Sequence, residues 1–211
     1  MNTDIQTPKA PLKEQIPYQA ALLGGFVAIA AALLVSMNLS TKSPIAARQA
    51  EDLQASLAQV VADNLHDNKL LENTVTLKDT AGKDITIYRG TRAGKVTALV
   101  WQTVGYGYAG EIKIIIAVDP DGNILGTRVL AHKETPGLGD KIEEAKGDWI
   151  LKFTGLSLSN PDDAHWKVKK DGGQFDQFSG ATITPRAVVK AIHEALQFFA
   201  AHKTELLENQ S

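Results

Sequence analysis

Cysteine is absent from this chain of 211 residues, and its absence removes several kinds of chemistry at once. Disulfide bonds, iron–sulfur clusters and thiolate catalysis all depend on cysteine side chains. The five histidines are scattered along the chain, and no two of them have the spacing of metal ligands. The sequence therefore supports no metal site, and any redox work would need an organic cofactor.

A large net charge is also lacking. The chain has 22 lysines and arginines against 24 aspartates and glutamates, which leaves a formal net charge of -2. Proteins that bind nucleic acid or an anionic membrane surface through electrostatics carry a positive excess. The charge balance therefore indicates no nucleic-acid partner, and it fits charges that serve solubility.

Charged residues are missing from the whole of residues 18–41. A transmembrane helix needs about 20 mostly apolar residues, and residues 18–39 meet that length. A cleaved signal peptide would have an apolar core of only ~7 to 15 residues before its cleavage site. We therefore predict an uncleaved transmembrane helix over residues 18–39, after a polar tail over residues 1–17. Lysine and arginine are balanced on the two flanks, so they predict no orientation.

Residues 40–73 are predicted to form a stalk helix and a linker. After Pro44, apolar residues recur at helical spacing, and acidic residues lie off the stripe. The members of this stripe are Leu53, Leu57, Val60, Val61 and Leu65. Such a stripe packs either on its own domain or on a partner subunit, and the sequence does not choose between the two.

From residue 74 the apolar periodicity changes to two, which predicts β-strands. The strands are expected near residues 75–77, 85–87, 96–100, 112–116 and 124–130, with a tight hairpin at residues 119–123. A short helix over residues 142–153, a short strand over residues 166–168 and a C-terminal helix follow. The pattern predicts an α+β fold over residues 74–211, with an antiparallel sheet and its helices packed on one side.

The start of the C-terminal helix offers a place for a phosphate group. Pro185 suits the first helical position, so Thr184 is predicted to be the N-cap. Free N–H groups and the helix dipole would stabilise a phosphate carried on its hydroxyl. On helix chemistry alone, a threonine that only caps its helix is the commoner case.

Four motifs in fixed order resemble the FMN-binding domain of Rnf-type ion-translocating electron transport complexes and of Na⁺-translocating NADH:quinone oxidoreductases. They are Gly-Tyr-Gly-Tyr-Ala-Gly at residues 105–110, His-Lys-Glu-Thr-Pro-Gly-Leu-Gly at residues 132–139, Lys-Lys-Asp-Gly-Gly-Gln-Phe-Asp at residues 169–176 and Ser-Gly-Ala-Thr-Ile-Thr at residues 179–184. Most of the chain after residue 74 takes part, and the closest resemblance is to the G subunits of the Rnf-type complexes.

The resemblance implies a covalent flavin. In that family the last threonine of the final motif carries FMN through a phosphoester bond, which transfers to Thr184 here. The rest of the motif, Ser179, Gly180, Ala181 and Thr182, would lie at the cofactor. The family is flavinylated by a separate flavin transferase that takes FMN from FAD, and its members relay electrons among other membrane subunits. The same resemblance implies a bacterial inner-membrane protein with a single span, a cytoplasmic tail and a periplasmic FMN-binding domain.

The loop at residues 132–139 has the residue types that a flavin ring needs. Leu138 offers an apolar surface, Thr135 a hydroxyl, and Gly137 allows the backbone to approach a flat ligand. His132 and Glu134 would point the same way in an extended segment, either as a proton relay to the flavin or as a surface ion pair. Of the two, Glu134 is the better candidate for a contact with the cofactor.

Two functions fit these observations. In the first, the domain is an electron-transfer subunit of an ion-translocating oxidoreductase, without a complete active site of its own. In the second, the chain is a membrane-anchored scaffold or binding module without a cofactor, and Thr184 only caps its helix. Covalent flavin distinguishes the two, because a flavoprotein is yellow and a scaffold is not.

Overall fold

A computed structural model describes residues 16–79 and 82–208 of the chain. The predicted polar tail lies outside the described residues except for its last two positions. The protein divides into two compact units, Met1–Glu51 and Asp52–Ser211. The second unit contains the sheet and all of the predicted site residues.

The N-terminal element is one long helix, α1, over Ile16–Val60. The sequence predicted a span and a separate stalk helix, but the helix continues through Pro44 without a break. Its side chains from residue 16 to 40 are exposed in the described chain and mostly apolar. By length and composition, α1 is the single candidate membrane span among the described residues.

Five antiparallel strands follow in the order β1-β2-β3-β4-β5, so each strand pairs with the next one along the chain. They are β1 (Thr74–Lys78), β2 (Asp84–Arg92), β3 (Lys95–Tyr106), β4 (Glu111–Val118) and β5 (Ile124–Ala131). Asp119 organises the predicted hairpin before β5, where its Oδ1 accepts hydrogen bonds from the backbone N–H of Asp121 at 2.9 Å and of Asn123 at 2.8 Å. Gly122 has a φ of 90° in the same turn, a conformation that favours glycine. The predicted antiparallel α+β fold is confirmed.

The two faces of the sheet are covered by different helices. On one face, the C-terminal helix α2 (Ile183–Leu207) packs against side chains of β3 and β4 such as Trp101 and Ile114. On the other face, the end of α1 and the following segment pack against Ala98, Val100, Ile115 and Ala117. The residues that cover this second face are Leu57, Val60, Val61 and Leu70, with Leu53, Leu65 and Leu71 at the margin.

The prediction that the helices lie on one side of the sheet is therefore wrong. Gly126 on β5 shows how close the second layer comes, because a Cβ at this position would lie 2.9 Å from the carbonyl oxygen of Val60. The apolar stripe of the predicted stalk packs on its own sheet from Leu53 onward. Residues 52–73 of the predicted stalk and linker thus belong to the second compact unit, whereas residues 40–51 belong to the first.

The region between β5 and α2 is irregular. The predicted helix over residues 142–153 is instead three 3₁₀ turns, at Asp140–Ile142, Glu144–Lys146 and Trp149–Phe153, and the predicted strand over residues 166–168 is reduced to a single bridge between Val168 and Phe175. Further 3₁₀ turns lie at Asp63–Leu65, Leu70–Glu72, Asp163–His165 and Lys169–Asp171.

Aromatic packing organises this irregular region in place of a regular backbone pattern. Phe153 stacks on Phe175 with ring centroids 4.6 Å apart, and Trp149 meets Phe178 edge to face at 5.1 Å. The indole N–H of Trp149 also donates to the carbonyl oxygen of Asp176 at 2.9 Å. Rings at these distances stabilise a loop through side-chain burial, so the apolar residues there need no helical or strand spacing.

Candidate functional site

Thr184 lies inside α2 rather than at its cap. The helix begins at Ile183, and the preceding residue, Thr182, already has helical backbone angles of −77° and −24°. The prediction that Thr184 is the N-cap and Pro185 the first helical residue is therefore wrong by two positions. Pro185 is still acceptable because the first four N–H groups of a helix have no intrahelical partner. The side chain of Thr184 is fully buried.

The hydroxyl of Thr184 donates a hydrogen bond to Oε2 of Glu134, fifty positions earlier in the chain. Glu134 is itself buried, with 5% of its surface exposed, and its Oε1 accepts the backbone N–H of Ala109 at 2.9 Å. Both carboxylate oxygens therefore act as acceptors, as an ionised carboxyl group requires. Three of the four sequence motifs thus meet at one carboxylate.

Glycines create the space for this carboxylate. A Cβ at Gly139 would lie 2.8 Å from the Cβ of Glu134 and 3.0 Å from the hydroxyl oxygen of Thr184. A Cβ at Gly107 would lie 2.9 Å from the carboxyl carbon of Glu134. Gly105 allows the first turns of α2 to approach β3, because its Cβ would be 2.8 Å from the carbonyl oxygen of Ala187. A side chain at Gly139 or Gly107 would displace Glu134 from Thr184.

His132 holds the backbone of the loop and not the carboxylate of Glu134. Its Nδ1 accepts the backbone N–H of Glu134 at 3.0 Å, and its Nε2 lies 2.6 Å from Oε1 of Glu143. An Nδ1 that accepts leaves the proton on Nε2, where it is donated to Glu143. The surface ion pair between His132 and Glu134 that the sequence allowed is therefore not formed.

The next residues of the loop form an exposed turn. The N–H groups of Leu138 and Gly139 both donate to the carbonyl oxygen of Thr135 at 3.1 Å, and Gly137, inside this turn, has a φ of 78°. Thr135 and Gly137 are exposed, and Leu138 is 41% exposed. The side chain of Leu138 lies over Gly180, where a Cβ would be 3.2 Å from its Cδ2. This contact joins the loop to the Ser-Gly-Ala-Thr segment.

A tight turn carries that segment into α2. The N–H of Ala181 donates to the carbonyl oxygen of Phe178 at 3.2 Å, with Gly180 at a φ of 81°. Ser179 and Gly180 are exposed, whereas Ala181 and Thr182 are half-buried. Of the three hydroxyl residues in the motif, Thr184 alone is buried against Glu134.

Ion pairs fix the preceding segment beside the helix. Arg186 binds both carboxylate oxygens of Asp171, at 2.6 and 2.7 Å, and holds the pKa of Asp171 below its usual value. Lys169 at 2.5 Å and Lys152 at 3.2 Å lower the pKa of Asp176 in the same way. These contacts attach residues 169–176 to α2 and to the 3₁₀ turn at Trp149–Phe153.

Exposed apolar side chains lie on the segments that form the site. Within residues 52–79 and 82–208, four large apolar side chains are exposed, and all four belong to the segments that meet at Glu134 and Thr184. They are Tyr106, Tyr108, Leu138 and Ile183. Exposed apolar groups gathered around one site mark a binding surface for a ligand or a partner protein.

The sequence did not reveal how the motifs meet. Gly107 and Ala109 lie in a glycine-rich turn that could, from sequence alone, either approach a ligand or simply connect two strands. In the structure a Cβ at Gly107 would meet the carboxyl group of Glu134, and the N–H of Ala109 donates to it. The spacing of the glycines in this turn was the available signal, but a turn of this kind has many other uses. No group of three or more His, Asp or Glu side chains suited to a metal ion occurs among the described residues.

Comparison with known proteins finds one domain family over the residues of this site. The FMN-binding domain family matches residues 107–197, a range that contains Gly107, Glu134 and Thr184. Two similar crystal structures are NqrC of Shewanella oneidensis and the C subunit of the Na⁺-translocating NADH-quinone reductase of Parabacteroides distasonis. The first is 26% identical with a TM-score of 0.48, over 69% of this chain and 73% of that one. The second is 22% identical with a TM-score of 0.46, over 68% and 70%.

Relatives at higher identity are each named as the G subunit of an ion-translocating oxidoreductase complex. The one from Cereibacter sphaeroides is 50% identical over 209 residues, which cover 98% of this chain and 95% of the relative. The one from Shewanella piezotolerans is 43% identical over 93% of this chain and 95% of the relative. The one from Stutzerimonas stutzeri is 47% identical over 91% and 84%. This chain belongs to the family of G subunits of ion-translocating oxidoreductase complexes.

Proposed function

We propose that this chain is a membrane-anchored electron carrier that holds FMN through a phosphoester bond to the hydroxyl oxygen of Thr184. The name of its relatives and its match to the FMN-binding domain family support a flavin-bearing subunit. FMN, when bound, supplies reversible transfer of one or two electrons. The chain alone has no complete active site, and it acts as one relay within a larger oxidoreductase.

The observation that carries the proposal is the hydrogen bond between Thr184 and Glu134. It joins the Ser-Gly-Ala-Thr motif to the His-Lys-Glu-Thr-Pro-Gly-Leu-Gly motif, and the Ala109 N–H adds the glycine-rich turn. A threonine that served only its helix would need none of these partners. Their convergence on the carboxylate that accepts this hydroxyl supports a chemical role for the hydroxyl.

The residues present suit the parts of FMN. Thr184 is the second residue of a 25-residue helix, where free N–H groups and the helix dipole favour an anionic phosphate. The exposed Leu138 and the turn at residues 135–139 offer an apolar surface and accessible backbone for a flat ring. Glycine at position 139 leaves room beside the hydroxyl, because a Cβ there would lie 3.0 Å from its oxygen.

The candidate span in α1 supports a membrane anchor. We place the chain in the bacterial inner membrane as a single-pass protein, with its FMN-binding domain in the periplasm. Its partners in this proposal are the other membrane subunits of the complex and a flavin transferase that loads FMN from FAD. A covalent bond suits this location, since a dissociable flavin would be lost to a compartment with little free cofactor.

Replacement of Thr184 by valine tests the attachment site. The full chain is produced together with a flavin transferase, denatured, separated on a gel and viewed for flavin fluorescence. We expect a fluorescent band for the wild type, none for Thr184→Val, and retained fluorescence for the matched control Thr182→Val. Intact mass should show one FMN per chain, joined with loss of one water.

The outcome also separates the electron carrier from the scaffold. A wild-type chain that never acquires flavin would support the scaffold without cofactor. A fluorescent Thr184→Val band would move the attachment to another hydroxyl. Thr184→Val should remain folded, although it should lower the free energy of unfolding by more than the loss of an N-cap hydrogen bond would. The variant removes a hydrogen bond to a buried charged group, worth roughly 1.5–3 kcal/mol.

A further inference from the structure

Glu134 is a buried carboxylate that has hydrogen-bond donors but no cation. Its two oxygens accept from the Ala109 N–H and the Thr184 hydroxyl. Within residues 16–79 and 82–208, no lysine, arginine or histidine forms an ion pair with it. A buried charge without a counter-charge is costly and contributes little to stability. The burial of this carboxylate is therefore better explained by a role at a site than by a contribution to stability.

The residues around Glu134 also fix the position of its carboxylate at a cost to the stability of the protein. Glycine at positions 107 and 139 loses more chain entropy on folding than alanine would, yet a Cβ at either position would press on Glu134. The backbone of Glu134 is held in turn by the ring of His132 at 3.0 Å. All of these features serve to hold one carboxylate oxygen against one hydroxyl.

We propose that Glu134 is the general base for the esterification of Thr184, an inference that rests on the proposed attachment of FMN to this residue. A threonine hydroxyl is a weak nucleophile near neutral pH and becomes reactive when an adjacent base takes its proton. Glu134 Oε2 already accepts the hydrogen of that hydroxyl. The base for the modification is therefore contributed by the protein that is modified.

The step balances with FAD as the flavin donor. The proton of the Thr184 hydroxyl passes to Oε2 of Glu134, and the hydroxyl oxygen forms a bond to the phosphorus on the flavin side of the pyrophosphate. The bond from that phosphorus to the bridging oxygen breaks, and AMP leaves with the bridging oxygen. Glu134 then carries a proton, so it can donate a hydrogen bond to the new phosphodiester where a carboxylate would repel it.

This arrangement also explains the choice of hydroxyl. Ser179 is exposed and Thr182 is half-buried, so a transferase reaches both more easily than Thr184. Among the described residues, Thr184 is the one hydroxyl that donates to Glu134. Because Thr184 is fully buried, the residues that cover it have to move before transfer. The position of the base, rather than access in the resting protein, then selects the modified residue.

The test compares two substitutions of Glu134 in the full chain, purified in detergent without flavin and then given FAD and a purified flavin transferase. Glu134→Gln keeps the shape of the side chain but removes the carboxylate that would take the proton. Glu134→Asp keeps the carboxylate on a side chain one methylene shorter. The rate of covalent flavin incorporation is measured by gel fluorescence. Glu144→Gln is the matched control, since it makes the same chemical change at a partly exposed carboxylate that pairs with Arg128.

We expect Glu134→Gln to lower the rate about 10²- to 10⁴-fold, which is the usual contribution of a general base. Glu134→Asp should be slower than the wild type but faster than Glu134→Gln, and Glu144→Gln should match the wild type. All three tryptophans are buried, so tryptophan fluorescence checks that each variant is folded. If Glu134→Gln fails to fold, a folded Glu134→Asp with a reduced rate and a normal unfolding midpoint supports the base.

Two results would overturn the inference. One is a Glu134→Gln rate equal to the wild type, and the other is a Glu134→Gln rate above that of Glu134→Asp, which would mean that shape alone matters. A wild-type chain without covalent flavin, or a labelled Thr184→Val, would instead refute the proposed function itself. The wild type and Thr184→Val are therefore run beside the Glu134 variants.

Discussion

The last turns of α1 and the segment between α1 and β1 should decide whether the FMN-binding unit folds on its own. The sequence suggested that the domain begins at residue 74, but Leu57, Val60, Val61 and Leu70 cover one face of the sheet, each at most 8% exposed. A shortened chain that starts at residue 43 keeps this layer. A chain that starts at residue 73 loses it.

The magnitude follows from burial. Full burial of one valine or leucine side chain is worth about 1.5–3 kcal/mol, so four such residues contribute about 6–12 kcal/mol as an upper estimate. The whole free energy of unfolding of a domain is about 5–15 kcal/mol. The chain from residue 73 would therefore retain little or none of its stability. It would also expose the apolar sheet face formed by Ala98, Val100, Ile115 and Ala117.

Gel filtration and urea unfolding, followed by tryptophan fluorescence, measure the difference. We expect the chain from residue 43 to be soluble and to unfold cooperatively, and the chain from residue 73 to aggregate. A point substitution gives a finer scale: Leu57→Ala should cost about 2–5 kcal/mol, whereas Gln54→Ala, exposed on the same helix, should change stability by less than about 0.5 kcal/mol. A soluble, cooperatively unfolding chain from residue 73 would refute the reasoning.

Three further predictions concern the site and its supports. Gly139→Ala should slow covalent flavin incorporation, because the added Cβ would press on Glu134. Gly147→Ala is the control and should leave the rate unchanged, since a Cβ at Gly147 would meet open space. Equal rates for the two variants in the gel assay would contradict this prediction. In flavin-free protein, Thr184→Val should lower the free energy of unfolding by roughly 1.5–3 kcal/mol, and in a double-mutant cycle the loss should be smaller when Glu134 is already glutamine. Asp176→Asn should cost about 0.2–1 kcal/mol at pH 7, because its ion pairs are partly exposed. Lys169 and Lys152 lower the pKa of Asp176 in the folded protein below the ordinary 3.8. The contribution of Asp176 to the free energy of unfolding is therefore present above pH 4 and is lost as the pH falls through the pKa of the folded state. Urea unfolding at pH 7 and pH 3 measures this difference.

Helix and strand periodicity identified most of the regular structure. Five runs of alternating residues became five antiparallel strands, and the predicted C-terminal helix became α2, with buried side chains from Val188 to Phe199. The errors occurred where packing replaces periodicity. Aromatic contacts around Phe153 support 3₁₀ turns in a stretch whose apolar content suggested a helix. The start of α2 was misplaced because Pro185 is tolerated anywhere in the first turn.

The sequence by itself determined the family-like motifs, the apolar span, the approximate positions of the five strands and the residues at which a flavin is expected. Tertiary structure alone decided that Glu134 and Thr184 are partners, since their separation of fifty positions has no local signature. It also decided that both faces of the sheet are buried. Val100 and Trp101 point to opposite faces, but their sequence does not indicate which elements of the fold cover each face. The physical reason is common to both cases. Local patterns report which backbone conformation a segment prefers, whereas a buried hydrogen bond or a covered face depends on which distant segments close against each other.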